Sequence, residues 1–242
     1  MNSSTSARLA TLSTLTALLA ACGGGGSGSD GPIFVPPAPP PAPTACLATP
    51  PPPAPAPGAQ PPQVTLAMSN GAGVNGNVVL TLNPTATPAT TANFLAYVNA
   101  GFYNCTVIHR HAPNSVLQGG GYTGPLVAGG TLPTLKPPTR ANIVLEDNAG
   151  QSNLRLTVAM ARSSLPDSAN SQFFFNLADN VGLDRTAIDR GYAVFGSVTS
   201  GSEVVTAMTA APCIAWPAFL DPFQGQCVPS PNITITAAAQ TR

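Results

Sequence analysis

Arg110 is the first charged side chain after Asp30, so a guanidinium arrives at the end of a long neutral run. It stands in His109-Arg110-His111-Ala112-Pro113-Asn114-Ser115-Val116-Leu117-Gln118-Gly119-Gly120-Gly121. β-Branched Thr106-Val107-Ile108 leads in, and Pro113-Asn114-Ser115 is turn chemistry. With that loop, Ala112 faces Val116 and Arg110 lies directly opposite Gln118. Opposed residues on adjacent strands share a face, with Cβ atoms about 5 Å apart. A guanidinium beside a carboxamide makes a platform that can grip an amide, because the guanidinium stays charged and offers several fixed donors. Taken alone, the segment also reads as an ordinary hairpin with two solvated polar residues. His109 and His111 alternate with Arg110 and so face the other way, which suits a structural role. A metal site would need a third ligand, and the chain has only 2 histidines.

The elements that must hold this platform are mostly strands. Val64–Met68 and Val78–Leu82 are short β-type runs around an Asn70-Gly71-Ala72-Gly73 turn. Further strands are expected at Thr106–Ala112, Val116–Gly119, Leu156–Ala161, Gln172–Leu177, Ala193–Val198 and Ile233–Ala237. Thr90–Val98 carries apolar residues at helical spacing with Pro88 near its start, and Glu203–Ala210 follows Ser202 as N-cap. Many strands, two helices and no βαβ alternation predict an all-β fold, a closed antiparallel barrel.

Ahead of that fold the chain cannot build a core. Arg8 precedes an apolar, small-residue run from Leu9 to Ala21. A bilayer span needs about 20 apolar residues, so 1–21 reads as a cleaved leader. Leu19-Ala20-Ala21-Cys22 is similar to a bacterial lipobox, in which the cysteine is acylated and becomes the new N-terminus. Residues 22–62 are a Gly/Ser and then Pro/Ala-rich tether, extended at roughly 3 Å per residue where proline dominates. The remainder, 63–240, suits one domain.

Lys+Arg and Asp+Glu balance at 9 each, with no basic patch to bind nucleic acid and no polybasic membrane contact. Five cysteines fit an oxidising compartment. With Cys22 acylated, four remain, and three pairings are open. Cys213 with Cys227 is favoured because both flank a Pro/Gly-rich loop, leaving Cys46 for Cys105. No Cys-x-x-Cys spacing suggests a metal.

Two later motifs, Ser171-Gln172-Phe173-Phe174-Phe175-Asn176-Leu177-Ala178-Asp179 and Gly191-Tyr192-Ala193-Val194-Phe195-Gly196, follow the hairpin at fitting distances. Together the three resemble the cyclophilin family of peptidyl-prolyl cis-trans isomerases, over about Val64 to Thr236. Asn99-Ala100-Gly101-Phe102-Tyr103-Asn104 and Leu183-Asp184 make the resemblance strongest to bacterial envelope members. It implies an eight-stranded barrel with two capping helices, catalysis by Arg110, and substrate contacts from Gln118, Gln172, Phe174, Ala161, Leu183, Tyr192 and Val116. Phe173, Phe175, Val194 and Phe195 are expected in the core. It implies no cofactor and no metal.

The sequence departs from the family where Phe-Met after the turn becomes Ser115-Val116, where Gly182 replaces an aromatic, and where Arg162 replaces asparagine. A shallower proline pocket is the expected result. The expected protein is a monomeric isomerase of unfolded or exposed X-Pro bonds that assists the folding of envelope proteins, with a lipid anchor at Cys22 as its only membrane contact. It would sit in the bacterial envelope, on the outer membrane facing the periplasm. The alternative is a cyclophilin-fold binding module or chaperone with little catalysis.

Overall fold

The computed structural model describes residues 50–56, 58, 60–124, 134–147, 150–215 and 226–242. The expected leader, Cys22, Cys46 and most of the expected tether lie outside the described residues. No helix among the described residues is long and apolar enough to cross a membrane.

Strand β1 (Gln63–Ser69) alternates strictly, burying Val64, Leu66 and Met68, and β2 (Asn75–Leu82) buries Val78, Leu80 and Leu82. Period-2 patterning aims one face of each strand inward. Helix α1 (Pro88–Asn99) follows, then β3 (Thr106–Val107), β4 (Arg110–Ala112), β5 (Val116–Gly119), β6 (Tyr122–Thr123) and β7 (Thr134–Leu135). The chain continues through β8 (Thr157–Met160), β9 (Phe173–Asn176), β10 (Val194–Ser200), helix α2 (Ser202–Ala210), β11 (Cys213–Ala215), β12 (Cys227–Pro229) and β13 (Thr234–Gln240). Every pairing is antiparallel, in one curled sheet ordered β11-β12-β4-β5-β9-β8-β10-β2-β1-β13-β3-β6-β7.

Among the described residues there are 13 strands, more than the expected eight. Short β6, β7, β11 and β12 flank the sheet, and the single strand expected over Thr106–Ala112 is split into β3 and β4. The split has a cause. β3 pairs with β13 and the Ile108 amide still reaches the Ile233 carbonyl, but the His109 amide donates to the Gln118 carbonyl, so the chain changes partner and β4 pairs with β5. The chain-order expectation of an all-β antiparallel fold with two helices holds.

Inside the curl, Phe94 of α1 packs its ring 4.9–5.4 Å from those of Tyr103, Phe173 and Phe195. Pro88 opens α1 at a position whose N–H would lack a partner anyway. No acidic residue lies in the first turn of α1, and Glu146 supplies one from outside. Its carboxylate accepts from the Ala89 and Thr90 amides at 3.1 and 2.8 Å and from the Thr90 hydroxyl at 2.6 Å. Glu146→Ala is therefore expected to cost about 1–2 kcal/mol, the scale of a lost N-terminal cap with its dipole contribution. Thermal melts of the two proteins would check this; equal midpoints would contradict it.

Helix α2 starts one residue earlier than expected. Gly201, not Ser202, is its N-cap, at φ 83°. A Cβ at Gly201 would lie 2.0 Å from the Asn77 carbonyl oxygen, so the close approach of β2 reserves this position for glycine.

Candidate functional site

The hairpin register pairs Arg110 with Gln118, His111 with Leu117 and Ala112 with Val116. Across the sheet the pairing continues from Gln118 to Phe174, from Phe174 to Ala159, and from Ala159 to Val194. Residues paired in this way share one face. One row over β4, β5, β9, β8 and β10 thus begins with a cation and a carboxamide and ends in apolar side chains.

At the polar end, Arg110 Nη1 donates to Gln118 Oε1 at 2.9 Å, and Gln118 Nε2 donates to Gln172 Oε1 at 2.9 Å. Arg110 Nε donates to Gln226 Oε1. The guanidinium is held by two carboxamides, one on each side. Gln172 lies flat over Gly121, where an added Cβ would sit 2.5 Å from its Cδ. That glycine is therefore a spatial requirement of the platform.

His109 corrects one expectation. It lies at the platform's far end, buried, with its ring centroid 4.5 Å from that of Tyr122 and its imidazole in polar contact with Gln172. Burial pushes its pKa down to about 4; the Val107 carbonyl and Gln172 oppose the shift and the Arg110 charge adds to it. His109 is neutral at neutral pH and contributes no competing cation. His111, on the opposite face from Arg110, packs beside Cys213 and Cys227, which are joined as a disulfide. Cys105 is also disulfide-bonded, while Cys46 lies outside the described residues.

At the apolar end, Ala112, Val116, Ala159, Phe174 and Val194 are buried together, with Ala161, Leu183 and Tyr192 packed against them. The structure brings together Phe174, Ala161, Leu183, Tyr192 and Val116. Val194 belongs here and not, as expected, to the main core, because the register puts it at the end of the row. Phe173, Phe175 and Phe195 do lie in the main core. The Tyr192 ring meets Phe174 edge-on at 5.6 Å, and the Arg162 guanidinium stacks over Tyr192 at 4.6 Å. Arg162 is fixed by donating to the Gly191 carbonyl at 2.8 Å and to Asp189 at 3.0 Å. Gly182 has nothing within 4 Å of where a Cβ would be, so this side of the pocket is open.

A knot of buried amides sets the two walls. Asn153 is fully buried; its side-chain amide donates to the Leu183 carbonyl at 3.2 Å, to Asp184 Oδ1 at 2.8 Å and to the Tyr192 carbonyl at 3.4 Å. It accepts from Asn176 Nδ2 at 3.1 Å, and the Tyr192 amide donates to the Leu183 carbonyl at 2.9 Å. Burial raises the Asp184 pKa, but bonds from Ser152 and Asn153 outweigh this and hold the carboxyl below its usual range.

Sequence reasoning missed Gln226 and Asn153. Gln226 lies in a Pro/Gly-rich stretch without periodicity, and its one available signal was the neighbouring Cys227. Asn153 looks like any loop asparagine until the walls it ties are known.

The chain matches the model of the cyclophilin type peptidyl-prolyl cis-trans isomerase/CLD family over residues 64–239. It is 46% identical over 129 residues to "Peptidyl-prolyl cis-trans isomerase A" of Dickeya dadantii (strain 3937), covering 53% of this chain and 64% of that protein. It is 38% identical over 135 residues to "Peptidyl-prolyl cis-trans isomerase B" of Escherichia coli (strain K12), covering 54% of this chain and 75% of that one. The matched segment thus spans just under two thirds of the Dickeya relative. In fold it is similar to a Cryptosporidium parvum cyclophilin type peptidyl-prolyl cis-trans isomerase, solved in the presence of the dipeptide Ala-Pro. The TM-score is 0.56 at 20% identity, covering 74% of this chain and 99% of that one. With 64–239 matched, well over half of its length, this chain belongs to the cyclophilin-type peptidyl-prolyl cis-trans isomerase family.

Proposed function

We propose that this protein is a peptidyl-prolyl cis-trans isomerase of the bacterial envelope, acting on exposed X-Pro bonds of unfolded chains and lipid-anchored at Cys22. The observation that carries the catalytic reading is the row from Arg110 and Gln118 to Phe174, Ala159 and Val194. A proline seated on the apolar end puts its preceding amide against the polar end. Burying each ring methylene contributes about 0.8 kcal/mol. The amide then twists against a barrier of roughly 18–20 kcal/mol. Arg110 donates to the pyramidal nitrogen and Gln118 fixes the chain, favouring the twisted state over the planar one. Uncatalysed exchange takes tens to hundreds of seconds, so reaching milliseconds asks for a barrier lower by about 7 kcal/mol.

The low-activity alternative, a binding module on the same fold, has one observation in its favour: the open side at Gly182. A coupled proline-isomerisation assay on the purified full chain separates the two. Catalysis well above the thermal rate supports the isomerase; peptide binding without acceleration supports the binding module.

The envelope setting rests on the Leu19-Ala20-Ala21-Cys22 site and the neutral tether behind it. Cys22→Ser is expected to leave the membrane fraction or to remain uncleaved. A variant that fractionates and migrates like the parent would remove the anchor from the proposal.

A further inference from the structure

We propose that the reduced form of this protein binds one Zn2+ ion between His111 Nδ1, Cys213 Sγ and Cys227 Sγ, and that the Cys213–Cys227 disulfide closes this site. The inference is independent of isomerase activity.

The three ligands come from three adjacent strands. Cys227 on β12 pairs directly with His111 on β4, and β11, carrying Cys213, pairs with β12. His111 Nδ1 lies 3.8 Å from the sulfur of Cys213 and 3.9 Å from that of Cys227. All three ligand atoms fall within 4.8 Å of one another. Tetrahedral zinc with Zn–S near 2.3 Å and Zn–N near 2.0–2.1 Å places nitrogen and sulfur about 3.6 Å apart, and sulfur and sulfur about 3.8 Å apart. The two nitrogen–sulfur edges are therefore already in place. Only the sulfur–sulfur edge must open, and the Cα atoms of the two cysteines, 5.6 Å apart, leave room for this by side-chain rotation.

The imidazole itself points to the site. Its Nδ1 is aimed at two sulfurs, which in a disulfide carry no proton to donate and accept poorly. As thiolates the same sulfurs complete a Cys2His donor set. His111 is buried and its strand is fixed by pairing with β5, so the ligand is held before the ion arrives. Both cysteines are half-buried, within reach of a reductant and of the ion.

Three protein ligands leave the fourth position to water. Opening the site takes two electrons. A dithiol reductant gives up two electrons and two protons and becomes a disulfide, while the Cys213–Cys227 bond breaks into two thiols. Zn2+ then displaces the two thiol protons. Oxidation reverses the sequence and expels the ion. The absence of a Cys-x-x-Cys spacing hid this arrangement, because the third ligand is reached across strands and not along the chain.

The test uses the full chain, reduced by a phosphine, separated from it under argon and titrated with Co2+ and then Zn2+. One equivalent of Co2+ should give thiolate charge-transfer and tetrahedral d–d absorption, and Zn2+ should bleach both. The oxidised protein should give neither. Double substitution Cys213→Ser with Cys227→Ser keeps every other cysteine and should lose the bands. His111→Ala should weaken binding by at least about tenfold. The proposal is overturned if the reduced parent takes up no stoichiometric Co2+ or Zn2+. It is equally overturned if either variant binds as the parent does. The parent measurement needs no substitution, so it decides the matter even where a variant folds poorly.

Discussion

Arg110→Ala is expected to leave a folded protein whose kcat/KM for X-Pro isomerisation has fallen by about 10²–10³-fold, the scale of losing one preorganised transition-state donor. The loss should appear mainly in kcat, because the planar substrate amide holds its nitrogen lone pair in resonance and offers Arg110 nothing there until it twists. Stability should change little. Arg110 is half-buried on the platform face, whereas the main core rests on residues such as Phe94, Tyr103, Phe173 and Phe195. Gln226→Ala is the milder companion, since it removes one of the two carboxamides that hold the guanidinium and leaves the charge in place. Isomerisation rates and melting curves on the three proteins provide the check. An Arg110→Ala protein with parental rates and a parental melt would end the catalytic assignment.

Asn153→Leu should be the more damaging change for the fold. Leucine fills nearly the same space but neither donates to Leu183, Asp184 and Tyr192 nor accepts from Asn176. Each buried group left unsatisfied costs about 1–3 kcal/mol. The Leu183 carbonyl keeps the Tyr192 amide, Asp184 keeps Ser152 and the Asn153 backbone amide, and Asn176 keeps Thr157. The Tyr192 carbonyl therefore bears the main penalty, and the expected loss is about 2–3 kcal/mol, or several degrees in Tm for a domain of this size. The walls formed by Leu183 and Tyr192 would keep only their direct backbone bond, so KM should rise while Arg110-dependent kcat falls less. A pH signature accompanies this. The parent's Asp184 has a depressed pKa, so its stabilising contribution is complete above the ordinary carboxylate pKa and disappears as pH falls through the folded value. With Asn153 gone the depression shrinks, and the melting midpoint of the variant should depend less on pH across that acid range. A variant with the parental midpoint and parental acid profile would contradict this account.

The sequence exposed those parts of the fold whose local pattern and tertiary role agree. Val64, Leu66 and Met68 alternate and are buried in alternation; the Pro113-Asn114-Ser115 turn fixes a hairpin register that puts Arg110 against Gln118. It concealed what is decided from a distance. The break between β3 and β4 comes from a change of strand partner, which no propensity at Ile108 or His109 announces. Strands β11 and β12 are three residues each, with no alternation to read, and they are joined by the Cys213–Cys227 bridge. Gln226, next to that bridge, could not be seen as a neighbour of Arg110. Val194 looked like core because its residue type was read without its register. The apolar residues marked by the family resemblance do gather, but the asparagine that ties two of them together carries no sequence mark.

Strand β1 lies between β2 and β13, and the bonds to β13 join the two ends of the folded region. The Gln63 amide donates to the Arg242 carbonyl, the Thr241 amide donates to the Gln63 carbonyl, and the Thr65 and Thr241 hydroxyls meet at 3.2 Å across 176 residues. Bringing such distant segments together costs about 3 kcal/mol more in chain entropy than closing a four-residue hairpin. Until β13 is made, a nascent chain therefore carries β1 with one bare edge, its amides and carbonyls unpaired. That edge is open to wrong partners for as long as it waits. It closes only when β13 is available, so the pairing that completes the sheet beside β1 joins segments far apart in sequence and is among the slowest contacts of this fold to form.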